Sequence, residues 1–304
     1  MSEQECKVRK IIGVLVLGLL ISSSHAAPPQ TRLIVPFGPG GPADRIVHNL
    51  VDDINKTFPI VSENKGGASG NVAFEYFLSS CGAAKPCMLL VGPPLLSNQF
   101  YYDNFNRKIF DQSEPIAYVG DSPVVVWVRK DLPASTLPEL FRLRKLAIAN
   151  GGEGTVSGFG TNLLLKSLDK ESVSVPYKAA ANIIADLLGG RIDVFPTFTF
   201  SLEGHYRQNL VKPLAILSKT RSSNLPEVPT AIEQGYPFNL GGWFILLINK
   251  DADPKFKADM KILITSLLSN RPEKYQKLGL ENLLSVKDFP SFYKEQTEFF
   301  EKYK

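Results

Sequence analysis

The stretch RLIVPFGPGGPADRIVHNLVDDI, residues 32–54, decides the architecture. Residues 32–37, apolar after Arg32, have the length of a buried strand. Gly38-Pro39-Gly40-Gly41-Pro42 ends it, because two prolines and three glycines cannot continue a ladder. Pro42 is suited to the first position of a helix, where its missing N–H costs nothing, and Asp44 puts negative charge in the first turn. Ile46, Val47, Leu50, Val51 and Ile54 then recur at helical spacing. A strand passed through a glycine turn into an amphipathic helix is the repeating step of an α/β protein.

The same step recurs along the chain. A strand near residues 60–63 leads into Gly66-Gly67-Ala68-Ser69-Gly70 and a helix with Val72, Ala73 and Phe77 on one side. Residues 88–91 and 124–128 read as strands. Residues 146–149 form another, ending in Asn150-Gly151-Gly152-Glu153-Gly154-Thr155. Residues 172–177 alternate as a strand, and the following helix carries Ile183, Ile184, Leu187 and Leu188 before stopping at Gly189-Gly190. Residues 211–217 and 243–248 are further strands. Asp253-Pro254 opens a helix with Phe256, Met260, Leu263, Ile264 and Leu267 on one face, and a last helix starts near Asp288. There is no internal repeat. The alternation predicts mainly parallel sheets covered on both faces, and the length suits two of them. The runs at 124–128 and 243–248 are the expected crossings. One domain would then be discontinuous, residues 27–123 and 243–304, and the other would be residues 124–242.

The N-terminal end reads as an export signal. Lys7, Arg9 and Lys10 precede an unbroken apolar run, residues 11–21, and Ser24-His25-Ala26 offers small residues at the expected cleavage positions. That run is too short for a membrane-spanning helix, which needs about 20 residues. Residues 1–26 are therefore expected to be a signal peptide and the mature chain periplasmic. The chain beyond residue 26 carries 31 basic against 28 acidic residues and no cluster of Lys and Arg with aromatics between them. No nucleic-acid partner is expected from so even a balance. Removing the leader leaves two cysteines, Cys81 and Cys87, separated by a turn-like Gly-Ala-Ala-Lys-Pro. An oxidising compartment favours pairing them, the alternative being two free thiols. With His48 and His205 they do not make up a metal site, and no cofactor is expected.

Three glycine-rich loops follow expected strands: residues 38–44, 66–70 and 151–158. Glycine permits close backbone approach, and a helix N-terminus behind it presents unpaired N–H groups that favour an anion. Taken singly, each loop is equally well a tight turn. None is a nucleotide motif: no Lys-Ser/Thr follows as in a P-loop, and the Gly38-Pro39-Gly40 start of a dinucleotide fingerprint has Ala43 at the third position. There is no Gly-x-Ser-x-Gly elbow, and neither histidine has a nucleophile frame around it.

Six motifs in order along the chain carry a resemblance. They are Ile34-Val35-Pro36-Phe37 with Gly40-Gly41-Pro42-x-Asp44-Arg45, then Glu63-Asn64-Lys65-Gly66-Gly67-Ala68-x-Gly70-Asn71, then Val175-Pro176-Tyr177-Lys178. Leu187-Leu188-Gly189-Gly190-x-Ile192-Asp193, Leu225-Pro226-Glu227-Val228-Pro229-Thr230 with Glu233 and Gly235, and finally Trp243 complete the set. Together they resemble the substrate-binding proteins of tripartite tricarboxylate transporters, the Bug family. The resemblance implies an α/β, two-domain type II periplasmic binding fold of the Venus-flytrap kind, with a hinge of two crossing segments. It implies a small carboxylate held largely by backbone N–H groups from one loop of each domain. Carried over, the ligand-binding residues are Phe37, Gly40, Gly41, Pro42, Ala43 and Asp44 on one side and Gly154, Thr155, Ser157 and Gly158 on the other.

The chain departs from the family pattern at Ala179, usually glycine, and at Gly158, where the family carries a histidine. The Cys81–Cys87 segment replaces the usual Asp-Gly-Tyr-Thr stretch. An acid usual in the distal subsite falls near Thr197, among Phe195, Phe198 and Phe200. That change points to a less polar ligand, such as an aromatic or longer-chain carboxylate. The expected function is non-catalytic capture of a di- or tricarboxylate, aromatic or other organic acid, by a monomer that delivers it to membrane transporter subunits. The alternatives are a sensor serving a signalling receptor and an exported hydrolase.

Overall fold

The computed structural model describes residues 31–303, so the expected leader, residues 1–26, lies outside the described residues. Its elements run β1 (Thr31–Val35), α1 (Pro42–Ile54), β2 (Ile60–Asn64), α2 (Asn71–Ser80), β3 (Cys87–Val91), α3 (Pro94–Ser97), α4 (Lys108–Gln112) and β4 (Ser113–Arg129). Next come α5 (Leu137–Leu140), β5 (Ala147–Asn150), α6 (Val156–Leu165), β6 (Val173–Pro176), α7 (Ala180–Leu188), β7 (Val194–Phe198), α8 (Thr199–Arg207) and β8 (Val211–Ile216). The chain closes with β9 (Gly241–Asn249), α9 (Pro254–Asn270), α10 (Pro272–Gln276) and α11 (Phe289–Tyr303). Among the described residues no helix is long and apolar enough to cross a membrane.

The strand order is β2-β1-β3-β9-β4-β7-β5-β6, with β8 also on β4. Seventeen-residue β4 explains the division of this array into two halves. Its first part pairs with β9, from Ser113 opposite Asn249 to Pro123 opposite Gly241. Its second part changes partners, pairing Val124 with Phe198 on β7 and Val125 with Ile216 on β8. The β1, β2 and β3 pairs and the β5, β6 and β7 pairs are parallel, whereas every pair that involves β4 or β9 is antiparallel. The two-domain α/β frame with crossing strands thus has parallel outer parts and an antiparallel centre. At the change of partner Gly120 has φ +152°, and a Cβ there would meet the Glu281 carbonyl oxygen at 2.8 Å. Asp121 and Glu281 exchange backbone hydrogen bonds across this point.

Strand period two sorts the core. Leu33, Val35, Met88 and Leu90 face α1 and α9, packing on Ile46, Leu50, Met260 and Ile264. Ile34, Leu89 and Val91 face the other way, onto Phe74, Phe77 and Phe300. In the second half Trp127, Ile183, Leu187, Phe195 and Ile216 make a separate cluster. Inside the first core boundary Asp53, with a fully buried side chain, accepts from Lys56 (2.7 Å), Lys274 (2.8 Å), Arg271 (3.1 Å) and the Tyr275 hydroxyl (3.1 Å). Burial pushes this carboxyl up, but the hydrogen bonds from Lys274, Lys56 and Tyr275 and the charge of Lys274 outweigh it and hold it down to about 2.

Several expectations change in detail. The first strand stops at Val35 rather than Phe37, since Pro36 has no N–H to give the ladder. Val72 is exposed, and Phe74 takes the inward position on α2. Leu188 is exposed at the end of α7. Helix α6 was not legible because Gly158 and Gly160 read as loop residues. A Cβ at Gly158 would clash with the Gly152 carbonyl oxygen and one at Gly160 would lie 2.5 Å from Pro196 Cβ, so this helix packs where side chains cannot go. Strand β7 was obscured by Pro196. Cys81 follows α2 and Cys87 opens β3. The intervening Gly82–Lys85 bridge turns the chain so that the two form a disulfide with Cα atoms 5.6 Å apart.

Candidate functional site

A cavity of about 150 Å³ lies beyond the carboxyl ends of the parallel strands, where open α/β sheets leave a crevice. The loop after β1 supplies Phe37, Gly38, Pro39, Gly41, Pro42 and Ala43. The turn after β3 supplies Gly92, Pro93 and Pro94. From the second half come Gly151, Thr155, Val156 and Ser157 after β5, then Lys178 to Ala181 with Ile183 after β6. The ends of β7, at Phe195, Thr197 and Phe198, and Phe244 in β9 complete it.

Three helices begin at this cavity: α1 at Pro42, α6 at Val156 and α7 at Ala180. Gly41 and Ala179, which precede α1 and α7, make no side-chain cap. First-turn N–H groups have no intrahelical acceptor, and the aligned peptide dipoles give this end partial positive charge. Three such ends at one cavity suit an anion. At α6 the cap is Thr155, whose Oγ1 accepts from the Gly158 N–H at 3.2 Å and donates to the Gly152 carbonyl at 2.6 Å. Ser157 Oγ accepts from the Gly151 N–H at 2.9 Å and lies 3.0 Å from Thr155 Oγ1. Since the Thr155 proton is committed to Gly152, the Ser157 hydroxyl is the donor in that contact, and it can re-aim its proton only by giving up Thr155.

The first loop is braced from behind. Asp44 accepts from the Gly40 N–H at 2.8 Å and from Asn64 Nδ2 at 2.7 Å, and Asn64 Nδ2 also donates to the Phe37 carbonyl. Gly66 comes so close that a Cβ would lie 2.9 Å from the Gly38 nitrogen. The second glycine loop, residues 66–70, therefore supports the first and does not reach the cavity. Of the residues expected at the site, Phe37, Gly41, Pro42, Ala43, Thr155, Ser157 and Thr197 line it. Four expected residues do not, and each has a physical reason. Asp44 and Gly40 are turned to each other. Gly154 packs on Asn98, whose Oδ1 occupies the space a Cβ would need, and the Gly158 amide is used by Thr155.

The halves meet on either side of the cavity. Ser97 Oγ donates to the Gly154 carbonyl at 2.6 Å, and Arg45 Nη1 donates to the Phe200 carbonyl at 3.2 Å. Phe198 stacks on Phe200 with centroids 5.7 Å apart and tilts against Phe244 at 5.3 Å. Gly242 makes room for it, since a Cβ there would run into the Phe198 ring. Sequence reasoning missed Gly92-Pro93-Pro94, although a Gly-Pro-Pro after a buried strand is itself a signal. It also missed Phe244, which lies inside a strand and reaches the cavity only because β9 is central. His48 Nδ1 is 2.8 Å from the Asp44 carbonyl oxygen. Among the described residues no hydrogen bond joins His48 or His205 to a serine or cysteine.

The family model for tripartite tricarboxylate transporter family receptors, TctC, matches residues 45–290. The chain belongs to the TctC family. It is 28% identical over 258 residues to Protein BugT of Bordetella pertussis, covering 79% of each chain. Among solved structures it is similar to periplasmic binding protein BugD, with a TM-score of 0.81 and 26% identity over 90% of this chain and 96% of that one. The R. palustris protein Rpa4515 with adipate superimposes at a TM-score of 0.83, with 21% identity over 90% of this chain and 95% of that one, a likeness of fold. BugD shares this chain's α/β frame, and the cavity of this chain is where that frame leaves a crevice between its halves.

Proposed function

We propose that this TctC member is an exported solute-binding protein that captures a small organic acid and presents it to the membrane subunits of a transporter. The single observation that carries the reading is the convergence of three helix N-termini, at Pro42, Val156 and Ala180, on one small cavity between the halves. They supply the positive potential and the N–H groups for a carboxylate with no buried arginine needed. Gly41 and Ala43 from one side and Thr155 and Ser157 from the other are the proposed contacts. The change of partner at Pro123–Val124 in β4 supports domains of residues 27–123 with 243–304 and of 124–242, closing about β4 and β9. Membership in TctC supports the transporter link, and the basic-then-apolar N-terminal stretch supports export.

Calorimetry of protein refolded to strip endogenous ligand, against mono-, di- and tricarboxylates, tests this. The expected result is saturable one-to-one binding of an acid that is recovered unchanged. Absence of binding by every acid would overturn it. So would ester turnover that disappears in His48→Ala or His205→Ala.

A further inference from the structure

We infer that the acid this cavity takes is a monocarboxylate with a compact apolar body, the size of one aromatic ring or a six-carbon chain. This rests on the carboxylate-binding reading above and names the class of acid. Size sets the first bound, on the part of the acid that leaves water: an apolar cavity of about 150 Å³ is what benzene fills, and this cavity, open at its mouth, encloses about that volume.

The walls set the second bound. The hinge side, at the ends of β7 and within β9, is Phe195, Phe198 and Phe244, with Val156 and Ile183 beside them. All but Phe198 are buried. The polar atom on this side is Thr197 Oγ1, which already lies 3.3 Å from Ser201 Oγ. A second carboxylate driven into this end would lose its water and meet no charged side chain in the lining, since Arg45 nearby is engaged by the Phe200 carbonyl. The one charged side chain lining the cavity is Lys178, and it is exposed. It follows β6, the edge strand of its half, and stands two residues before α7. A cation there draws anions in and is screened by solvent, which makes it a weak partner for a bound charge. Ala179, Ala180 and Ala181 beside it open α7, so they offer that helix's N-terminal N–H groups to the carboxylate and methyl groups, not a second charge, to the rest of the ligand. A ligand whose carboxylate meets the helix ends and whose body meets the phenylalanines satisfies every surface of the cavity.

The test is calorimetry on the ligand-stripped protein with hexanoate and adipate, which have the same chain length and differ by one carboxylate, and with benzoate. Each is run on the wild type and on Lys178→Met. The expected result is that hexanoate or benzoate binds at least tenfold tighter than adipate, with Lys178→Met changing that affinity less than about threefold. Tighter binding of adipate, lost in Lys178→Met, overturns the inference while leaving the carboxylate reading intact. Failure of all three acids, and of the wider panel, overturns both.

Discussion

At the scale of single residues, Gly41 and Asp44 separate two roles that adjacent positions can hide. A Cβ at Gly41 would meet only the Gly38 carbonyl oxygen, at an ordinary 3.7 Å. Its φ of −80° is open to any residue. Gly41→Val should therefore fold, with stability lowered by no more than about 1 kcal/mol for the poorer N-cap, and weaken acid binding at least tenfold by filling the cavity. Thermal melts paired with calorimetry check both halves of that statement, and unchanged affinity removes the first loop from the site. Asp44→Ala should do the reverse, acting on stability first. It leaves Asn64 and the Gly40 amide without their charged acceptor. Such charge-assisted bonds are worth about 2 kcal/mol, and denaturant unfolding should read a loss of that order. The sequence marked both residues as binding residues, since family motif and glycine content are the same for a residue that faces the cavity and for one that turns its back. Only the hydrogen bonds to Gly40 and Asn64 distinguish them.

At the scale of elements, the helices joined to the first sheet illustrate how tertiary charge placement sets pH response. The folded-state carboxyl of Asp53 sits at about 2, below its ordinary value of 3.8. Because the folded value is the lower one, its contribution is complete above pH 4 and is lost as pH falls toward 2. The shift corresponds to about 2 kcal/mol. Asp53→Asn should therefore cost about 2 kcal/mol at pH 7, and the gap from wild type should close between pH 4 and 2 in denaturant titrations. A gap independent of pH contradicts the assignment. The disulfide makes a second prediction at this scale. Cys81 and Cys87 enclose a short loop between α2 and β3, and closing a loop of that length is worth about 2 kcal/mol in the chain-entropy account. Thiol titration of the denatured, unreduced mature protein, without Cys6, should find none, and reduction should lower stability by that amount.

The elements themselves were largely legible where periodicity is strong. In α1 the residues Ile46, Val47, Leu50, Val51 and Ile54 point inward as their spacing requires. Legibility failed where packing overrides propensity. Helix α6 carries glycines because it lies against β7, and β7 carries Pro196 between buried neighbours. Strand β4 showed only its β-branched end, because its first part contains Pro115, Gly120 and Pro123 and is held by pairing with β9. The Phe198–Phe244 wall was legible in part, as an aromatic run without its partner strand.

At the scale of the molecule, two halves share β4 and β9, with a small cavity between them and polar contacts on each side of it. Gly154 is a point of close approach between the halves, set against the buried Asn98 side chain. Gly154→Val should hold the halves apart, giving a larger radius of gyration in small-angle scattering in the presence of acid and weaker binding. An unchanged radius with normal affinity would contradict the closing motion.

If the helix ends hold a carboxylate, an acid and its neutral amide must bind very differently. Titration calorimetry of benzoate against benzamide, or hexanoate against hexanamide, at pH 7 keeps shape constant and removes the charge. The account predicts saturable binding of the acid and at least a hundredfold loss for the amide. Equal affinity for the two would contradict it, since the cavity would then be reading the body of the ligand and not its charge.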